Sequence, residues 1–161
     1  MVRELSGALR TIPTAIGTAA AALELVFPDG SRRPSLVELR EGATESEVLI
    51  KDKGASELTW RKDGKALAWS QAHTVKLYNS YDDVYLYDIE KKSQKLMTSG
   101  ARARDPAFSP EGDRLLVVTN EVQNNQLAVL TVDQRLSPLT ATTDHTQFST
   151  PKYSPDGKWI A

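Results

Sequence analysis

The stretch DPAFSPEGDRLLVVT (residues 105–119) decides the fold, because two near-copies of it occur elsewhere in the chain. TPKYSPDGKWIA (150–161) repeats it closely, and TWRKDGKALAW (59–69) keeps an aromatic residue followed by an Asp-Gly pair. The aromatic residues before the three turns stand at positions 60, 108 and 153, which are 48 and 45 residues apart. They are Trp60, Phe108 and Tyr153. This spacing indicates a structural unit that occurs at least three times.

Two further landmarks recur in the same order. Asp88 and Asp133 each lie 20 residues before the aromatic residue of the following turn. A threonine ends a short segment between them and that turn, at Thr98 and at Thr140. A period of about 40–50 residues is typical of a β-propeller or of a helical array such as HEAT repeats.

The hydrophobic pattern favours strands over helices. DVYLYDI (83–89) alternates, and RLLVVT (114–119) and QLAVLTV (126–132) are short Val-, Leu- and Thr-rich runs between turn residues. Only 19–26, AAAALELV, has a composition that could form a helix. The sequence therefore predicts an all-β chain with about four short antiparallel strands in each unit.

The turn residues have defined roles in this prediction. Proline sets φ near −65° at the second turn position, and glycine takes the positive φ that closes a hairpin with a bulge. The serine at the first position can accept a hydrogen bond from the turn backbone. The predicted structural turn residues are Asp63, Gly64, Ser109, Pro110, Gly112, Ser154, Pro155, Asp156 and Gly157.

The aromatic residue before each turn is expected to pack between adjacent sheets, where a large ring buries the most area. Trp69, Val117 and Val118, across the hairpins, are expected to line the same layers.

Residues 57–161 resemble the WD-like β-propeller repeats of the TolB type. The likeness rests on DPAFSPEGDRLLVVT, on TPKYSPDGKWIA and on the lead-in YLYDIEKKSQKLMTSG (85–100). Similar repeats occur in the propellers of prolyl oligopeptidase-like, tricorn-like and, less specifically, MA-type peptidases. Residues 1–56 match poorly and are interpreted as a divergent N-terminal blade or blades. The resemblance implies a partial propeller of about three to four blades, with the last blade incomplete.

Closed propellers have 4–8 blades, so we expect the chain to be a piece of a larger protein. An open propeller exposes unpaired blade edges, which favour self-association or partial stability. Periplasm or cell envelope is the location that the TolB resemblance implies. Glu4 and Pro13 interrupt the N-terminal segment, so no clear signal peptide is present and a cytoplasmic location stays open.

Composition excludes several classes of function. The chain of 161 residues has 20 basic and 21 acidic side chains, a net charge of −1 and no cysteine. This balance gives no long-range attraction to nucleic acid, and the lack of cysteine excludes disulfides and thiolate chemistry. No apolar run approaches the roughly 20 residues of a transmembrane helix, so membrane insertion is not expected.

The motifs of common hydrolases are also missing. Neither G-x-S-x-G nor H-E-x-x-H occurs, and no cofactor or metal site is predicted. His73 and His145 could act as a metal ligand or general base, but both are interpreted as solvated loop residues. Asp82 and Asp83 could contribute to a calcium site, although paired acids at a strand start more often cap a turn or protect an edge.

Arg102 and Arg104 are the candidate partner-binding residues. They alternate with alanines just before a predicted inner strand, where propellers place residues on one rim of the central channel. A forked guanidinium there could bind a carboxylate or an acidic peptide, while a salt bridge to a neighbouring blade is the structural alternative.

Three functions remain open on this evidence. The first is a non-catalytic protein- or peptide-binding module similar to TolB. The second is a regulatory or substrate-gating propeller of a larger peptidase whose catalytic domain lies outside this sequence. The third, a propeller enzyme, would need several acids or histidines converging on one channel, and the sequence offers no such set. We favour the first, without enzymatic activity.

Overall fold

The computed structural model describes residues 12–13, 18–26, 32–40, 47–50, 55–75, 78–120, 124–141 and 146–161. All regular secondary structure in these residues is β-strand, and none of them is helical. The chain divides into two compact units, Met1–Ser56 and Glu57–Ala161. The all-β prediction is confirmed.

The first unit contains one four-stranded antiparallel sheet in its described residues, with the strands in chain order. The strands are β1 (Ile12–Pro13), β2 (Thr18–Val26), β3 (Arg32–Arg40) and β4 (Glu47–Ile50). The helix-compatible segment 19–26 lies in β2, whose nine residues all pair with β3. The ladder hydrogen bonds of this pairing outweigh the helix propensity of the alanines, because propensity is a weak preference.

The second unit contains two more sheets of the same kind, again in chain order. The second sheet consists of β5 (Ser56–Trp60), β6 (Ala66–Val75), β7 (Asn79–Asp88) and β8 (Ser93–Leu96). The third consists of β9 (Ala103–Phe108), β10 (Arg114–Asn120), β11 (Asn125–Thr131) and β12 (Leu136–Pro138). A further hairpin follows, in which Tyr153 pairs with Ile160.

The three turns that follow the aromatic residues have the same geometry. In each, the glycine N–H donates to the carbonyl three residues earlier at 2.9 Å, and the glycine φ is +71°, +75° and +70° in chain order. In each, the residue after the aromatic donates to the carbonyl five residues later, also at 2.9 Å. The glycines are Gly64, Gly112 and Gly157. Trp60, Phe108 and Tyr153 therefore occupy equivalent positions.

A residue with positive φ three positions before each aromatic is a further shared feature. Glu57, Asp105 and Thr150 all have positive φ, between +45° and +54°. In the third sheet the register between β9 and β10 shifts at this place, between Leu116 and Val118. A residue with positive φ in one strand of a shifted pair is typical of a β-bulge, which bends the strand.

The second and third sheets pack face to face around one apolar cluster. The second sheet and the segment that follows β8 contribute Ala68, Val84 and Met97, and the third sheet contributes Leu115, Val117 and Leu130. Phe108 packs against this cluster. Tyr153 packs on a second cluster, which contains Leu116 and Val118 on the other face of the third sheet. Phe108 and Tyr153 thus fill successive layers.

Val117 and Val118 line the layers of the aromatic residues, as expected. Both are fully buried, Val117 in the cluster that Phe108 packs against and Val118 in the cluster that Tyr153 packs against. Neighbouring residues of a strand point to opposite faces of the sheet, so a strand buried on both faces contributes to two layers. Trp69 is also buried and stacks on Tyr85, with ring centroids 5.6 Å apart.

The register also corrects one of the spacing landmarks. Asp88 pairs with Ala66, which lies two residues after the turn glycine of the second sheet. The equivalent residue of the third sheet is Arg114, and it pairs with Thr131. Asp133 lies two residues further on, in the turn after β11. The threonine landmark does hold: Thr98 accepts the Val84 N–H and Thr140 accepts the Leu127 N–H, each through Oγ1 at 3.0 Å.

Gly112→Val should destabilise the protein by about 1–3 kcal/mol, because a β-branched residue disfavours positive φ. A Cβ at this position would also lie 2.7 Å from Arg61 Cγ of the preceding turn. Urea unfolding measures the change. Lys62→Val, at an exposed turn position, is the control and should change stability by less than about 0.5 kcal/mol. Equal unfolding curves for Gly112→Val and the wild type would contradict the assigned turn.

Asp63 should make the stability of its turn depend on pH. The hydrogen bond from the Arg61 guanidinium, 2.9 Å from Asp63 Oδ1, lowers the pKa of this carboxyl below its ordinary value of 3.8. A lowered folded-state pKa adds stability above the ordinary value, which is lost as the pH falls through the folded-state pKa. The difference in unfolding free energy between wild type and Asp63→Asn should therefore shrink in acid. A difference that stays constant with pH would show that Arg61 does not act on this carboxylate.

Candidate functional site

The β6–β7 hairpin is longer than its counterpart in the third sheet. Both hairpins begin two residues after a turn glycine, but β10–β11 ends after seven pairs, at Asn120 and Asn125. The β6–β7 ladder continues to ten pairs, ending at Val75 and Asn79. The three additional pairs involve residues 73–75 and 79–81, which we call the extended hairpin. At about 3.3 Å per residue they project roughly 10 Å beyond the neighbouring hairpin.

The extended hairpin forms one wall of a cleft of about 420 Å³. Arg102, directly before β9, and Asn120, at the end of β10, form the opposite wall. We call this space the hairpin cleft. Its lining residues are Ser80, Tyr81, Asp82, Arg102 and Asn120. The cleft lies where the β6–β7 ladder extends beyond the described pairs of the β10–β11 ladder.

Arg102 is held in the hairpin cleft by an aromatic ring. Its guanidinium carbon lies 4.5 Å from the centroid of the Tyr81 ring, and Nη2 donates to the Tyr81 hydroxyl at 3.4 Å. Its carbonyl accepts the Asn120 N–H at 3.1 Å. Within the described residues Arg102 forms no ion pair. The side chain is thus ordered by stacking, and its charge is not neutralised by a carboxylate.

Arg104 is placed differently, although the sequence groups it with Arg102. It lies inside β9, and its Nη1 is 2.6 Å from Asp105 Oδ2, in a pair that is largely buried. Its Nη2 donates to the Phe148 carbonyl at 3.3 Å, and Asp105 also accepts the Thr150 N–H. Arg104 therefore fastens β9 to the segment that leads to the next turn, and it does not line the hairpin cleft.

Asp82 and Asp83 have separate roles. Asp82 is exposed and lines the cleft, whereas Asp83 is fully buried in β7. Asp83 Oδ1 accepts Thr98 Oγ1 at 2.7 Å and the Ala101 N–H at 3.1 Å. Its Oδ2 accepts the Gly100 N–H at 2.7 Å and contacts His73 Nδ1 at 3.1 Å. Both oxygens are thus occupied by donors, so a calcium ion would have to displace these hydrogen bonds.

His73 is not a solvated loop residue, and that interpretation was wrong. It lies in β6 and contacts Asp83, with 30% of its side chain exposed. Its ring also meets the Tyr85 ring edge to face, with centroids 6.4 Å apart. The β-branched Thr74 and Val75 after His73 are a signal in the sequence that the strand continues through this residue. His145 lies outside the described residues.

Tyr85 shows how strongly this face is packed. Burial, with a smaller effect of the neighbouring Asp83 carboxylate, raises the pKa of the Tyr85 phenol above its ordinary value. The ring lies between Trp69 and His73. Trp69, Tyr85 and His73 therefore form a series of contacting rings on this face of the second sheet.

The predicted turn residues gather at a different cleft, of about 290 Å³. Its lining combines the three equivalent aromatic residues with parts of their turns: Trp60, Lys62, Phe108, Ser109, Pro110, Tyr153, Ser154 and Pro155. Side-chain hydrogen bonds within the turns account for the polar residues, as where Ser154 Oγ donates to Asp156 and accepts the Trp159 N–H. We therefore assign these residues to the fold.

No protein-family model and no curated protein matches the sequence significantly. None of the described residues lies in a helix that is long and apolar enough to cross a membrane.

Solved β-propellers are similar to this chain. A structure from Agrobacterium tumefaciens assigned as TolB has a TM-score of 0.68 at 20% identity, covering 88% of this chain and 48% of its own. TolB from Acinetobacter baumannii has a TM-score of 0.69 at 19% identity, covering 90% and 34%. The propeller domain of the Trilobed protease from Pyrococcus furiosus has a TM-score of 0.61 at 16% identity, covering 84% and 42%.

These similarities establish the fold class. The chain has the β-propeller fold of TolB and of peptidase propeller domains, built from four-stranded antiparallel blades. It spans about half or less of each of these three chains.

Asp83→Asn should destabilise the protein by about 2–4 kcal/mol, because an amide replaces a buried, charged acceptor of several hydrogen bonds. The amide would place its NH₂ group against other hydrogen-bond donors. Asp82→Asn, the exposed neighbour, is the matched control and should change stability by less than about 0.5 kcal/mol. Chemical unfolding of both variants measures the two changes in stability. Similar effects at the two positions would contradict the assigned burial of Asp83.

Proposed function

We propose that this chain is part of a non-catalytic propeller module that binds a protein or peptide, and that an acidic group of the partner enters the hairpin cleft. The observation that supports this most is Arg102, a guanidinium fixed on Tyr81 without a carboxylate partner in the described residues. An ordered, unneutralised arginine at an open cleft is suited to bind a carboxylate with two parallel hydrogen bonds.

The other lining residues suit a peptide. The Ser80 hydroxyl and the Asn120 amide offer donors and acceptors on opposite walls of the cleft. Asp82 would accept a peptide N–H and would repel a ligand that carries several acidic groups on its side. The expected ligand is therefore one acidic residue or chain terminus in an extended peptide segment.

Binding is proposed in preference to catalysis because of what the cleft contains. Imidazole is the commonest general base, and His73, the histidine among the described residues, is directed to Asp83 and is not among the cleft-lining residues. We extend the proposal to a periplasmic or cell-envelope location, which rests on the resemblance to TolB alone. Nucleic acid and membrane insertion are not part of it, in agreement with the charge balance.

A second candidate is a regulatory or substrate-gating propeller of a larger peptidase. The similarity to the Trilobed protease propeller favours it, since that protein combines the same fold with proteolysis. A reading frame that continues into a hydrolase motif would support this candidate. Because the hairpin cleft binds a peptide in both candidates, the peptide titration described next tests both.

Arg102→Ala should weaken binding of a short, otherwise neutral peptide that carries one glutamate by about 10–100-fold, since a charge-assisted hydrogen bond contributes about 1.5–3 kcal/mol. Isothermal titration at low salt measures the affinity, with the glutamine-substituted peptide as the ligand control. Arg135→Ala, which removes an exposed charge outside the cleft, is the protein control. Arg104→Ala should lower the unfolding free energy instead, because it breaks the Asp105 pair.

Two results would contradict the proposal. One is equal loss of affinity in Arg102→Ala and Arg135→Ala, which would indicate non-specific attraction. The other is the absence of glutamate-peptide binding by the wild type. Light scattering at the titration concentration would detect self-association through blade edges, which would otherwise complicate the measured affinity.

A further inference from the structure

We infer that His73 and Asp83 form a positioning pair that fixes both walls of the hairpin cleft and so presents Arg102 to its ligand. The ligand in this inference rests on the proposed function. The positioning itself rests on contacts that can be tested without any ligand.

The segment that joins β8 to β9 is held in place by Asp83. Asp83 accepts the Gly100 and Ala101 N–H groups and the Thr98 hydroxyl, so one buried carboxylate holds three residues of this connection. Arg102 follows directly, with φ at +53°. Because Ala101 is tied to Asp83, the backbone position from which the Arg102 side chain departs is fixed.

The extended hairpin is linked to Asp83 through His73. His73 is paired with Tyr81 across the β6–β7 ladder, and Tyr81 is the ring on which Arg102 stacks. His73 also contacts Asp83 at 3.1 Å. The contacts therefore close a ring, from His73 through Asp83 and Ala101 to Arg102, and back through Tyr81. Movement of either wall would have to break a contact at the pair.

Comparison with the third sheet separates this role from ordinary blade architecture. The residue equivalent to Asp83 is Gln126, since Val84 and Leu127 make the same threonine contact. There the next connection is held by Asn125, whose side chain donates to the Phe148 carbonyl and accepts its N–H. A neutral amide thus suffices to hold a connection between sheets.

In the described residues of the third sheet, the β10–β11 ladder ends at the Asn120–Asn125 pair, three pairs earlier than the β6–β7 ladder. The histidine–aspartate pair therefore occurs together with the extended hairpin and the cleft beneath it. If the His73–Asp83 pair served only to hold the β8–β9 connection, it would not need a residue of the extended hairpin. This coincidence points to positioning of the cleft walls.

The test compares two substitutions of His73 in the full chain. His73→Phe keeps a ring beside Tyr85 but removes the donor to Asp83, and should weaken glutamate-peptide binding by about 10-fold. His73→Asn places an amide donor near the position of Nδ1, and should restore the affinity to within about threefold of wild type. Gly112→Ala, at the turn, is a destabilised control that should leave the affinity of the folded protein unchanged.

Two ligand-free readouts accompany the titration. The ¹⁵N resonance of Arg102 Nε should shift in His73→Phe but stay near its wild-type position in His73→Asn. Amide exchange at Gly100 and Ala101 should accelerate in His73→Phe by about 10-fold. An unchanged Arg102 resonance with wild-type exchange would overturn the inference, as would equal losses of affinity in His73→Phe and Gly112→Ala. If the wild type fails to bind the peptide, the proposed function fails, while these readouts still decide the positioning claim.

Discussion

The tight turn closed by a glycine with positive φ is the constraint on which the rest of the second unit depends. It fixes the first residue pair of each hairpin, and so decides which side chains reach the layers between the sheets. The turn also touches its neighbour, since the space beside Gly112 is occupied by Arg61 of the preceding turn. One local geometry therefore sets both the register within a blade and the approach between blades.

The candidate site follows from what varies at the opposite end of the same hairpins. With the starting register fixed, additional residues can only lengthen the far end of the ladder, and in β6–β7 they form the wall that carries Tyr81. A buried carboxylate then ties that wall to the next connection. The turn geometry is repeated at one end of the hairpins, and the other end is extended locally. In this way a repeated scaffold acquires a particular surface.

Much of the fold could be predicted from the sequence, because spacing and alternation depend on local chemistry that the residues display. The positive φ of Glu57, Asp105 and Thr150 could not be predicted, since none of these residues is a glycine. Asp82 and Asp83 look alike in sequence, and only the pairing of β7 shows which one is buried. The contact of Arg102 with Tyr81 and the separate role of Arg104 could not be predicted either, because they depend on contacts between segments distant in sequence.

Nuclear Overhauser effects can show whether the equivalent aromatic rings pack in successive layers. We expect contacts from the Phe108 ring to methyl groups of the cluster that contains Ala68, Met97 and Val117, and from the Tyr153 ring to the cluster that contains Val118. Rings that contact only side chains of their own strands, or that share one cluster, would contradict this packing.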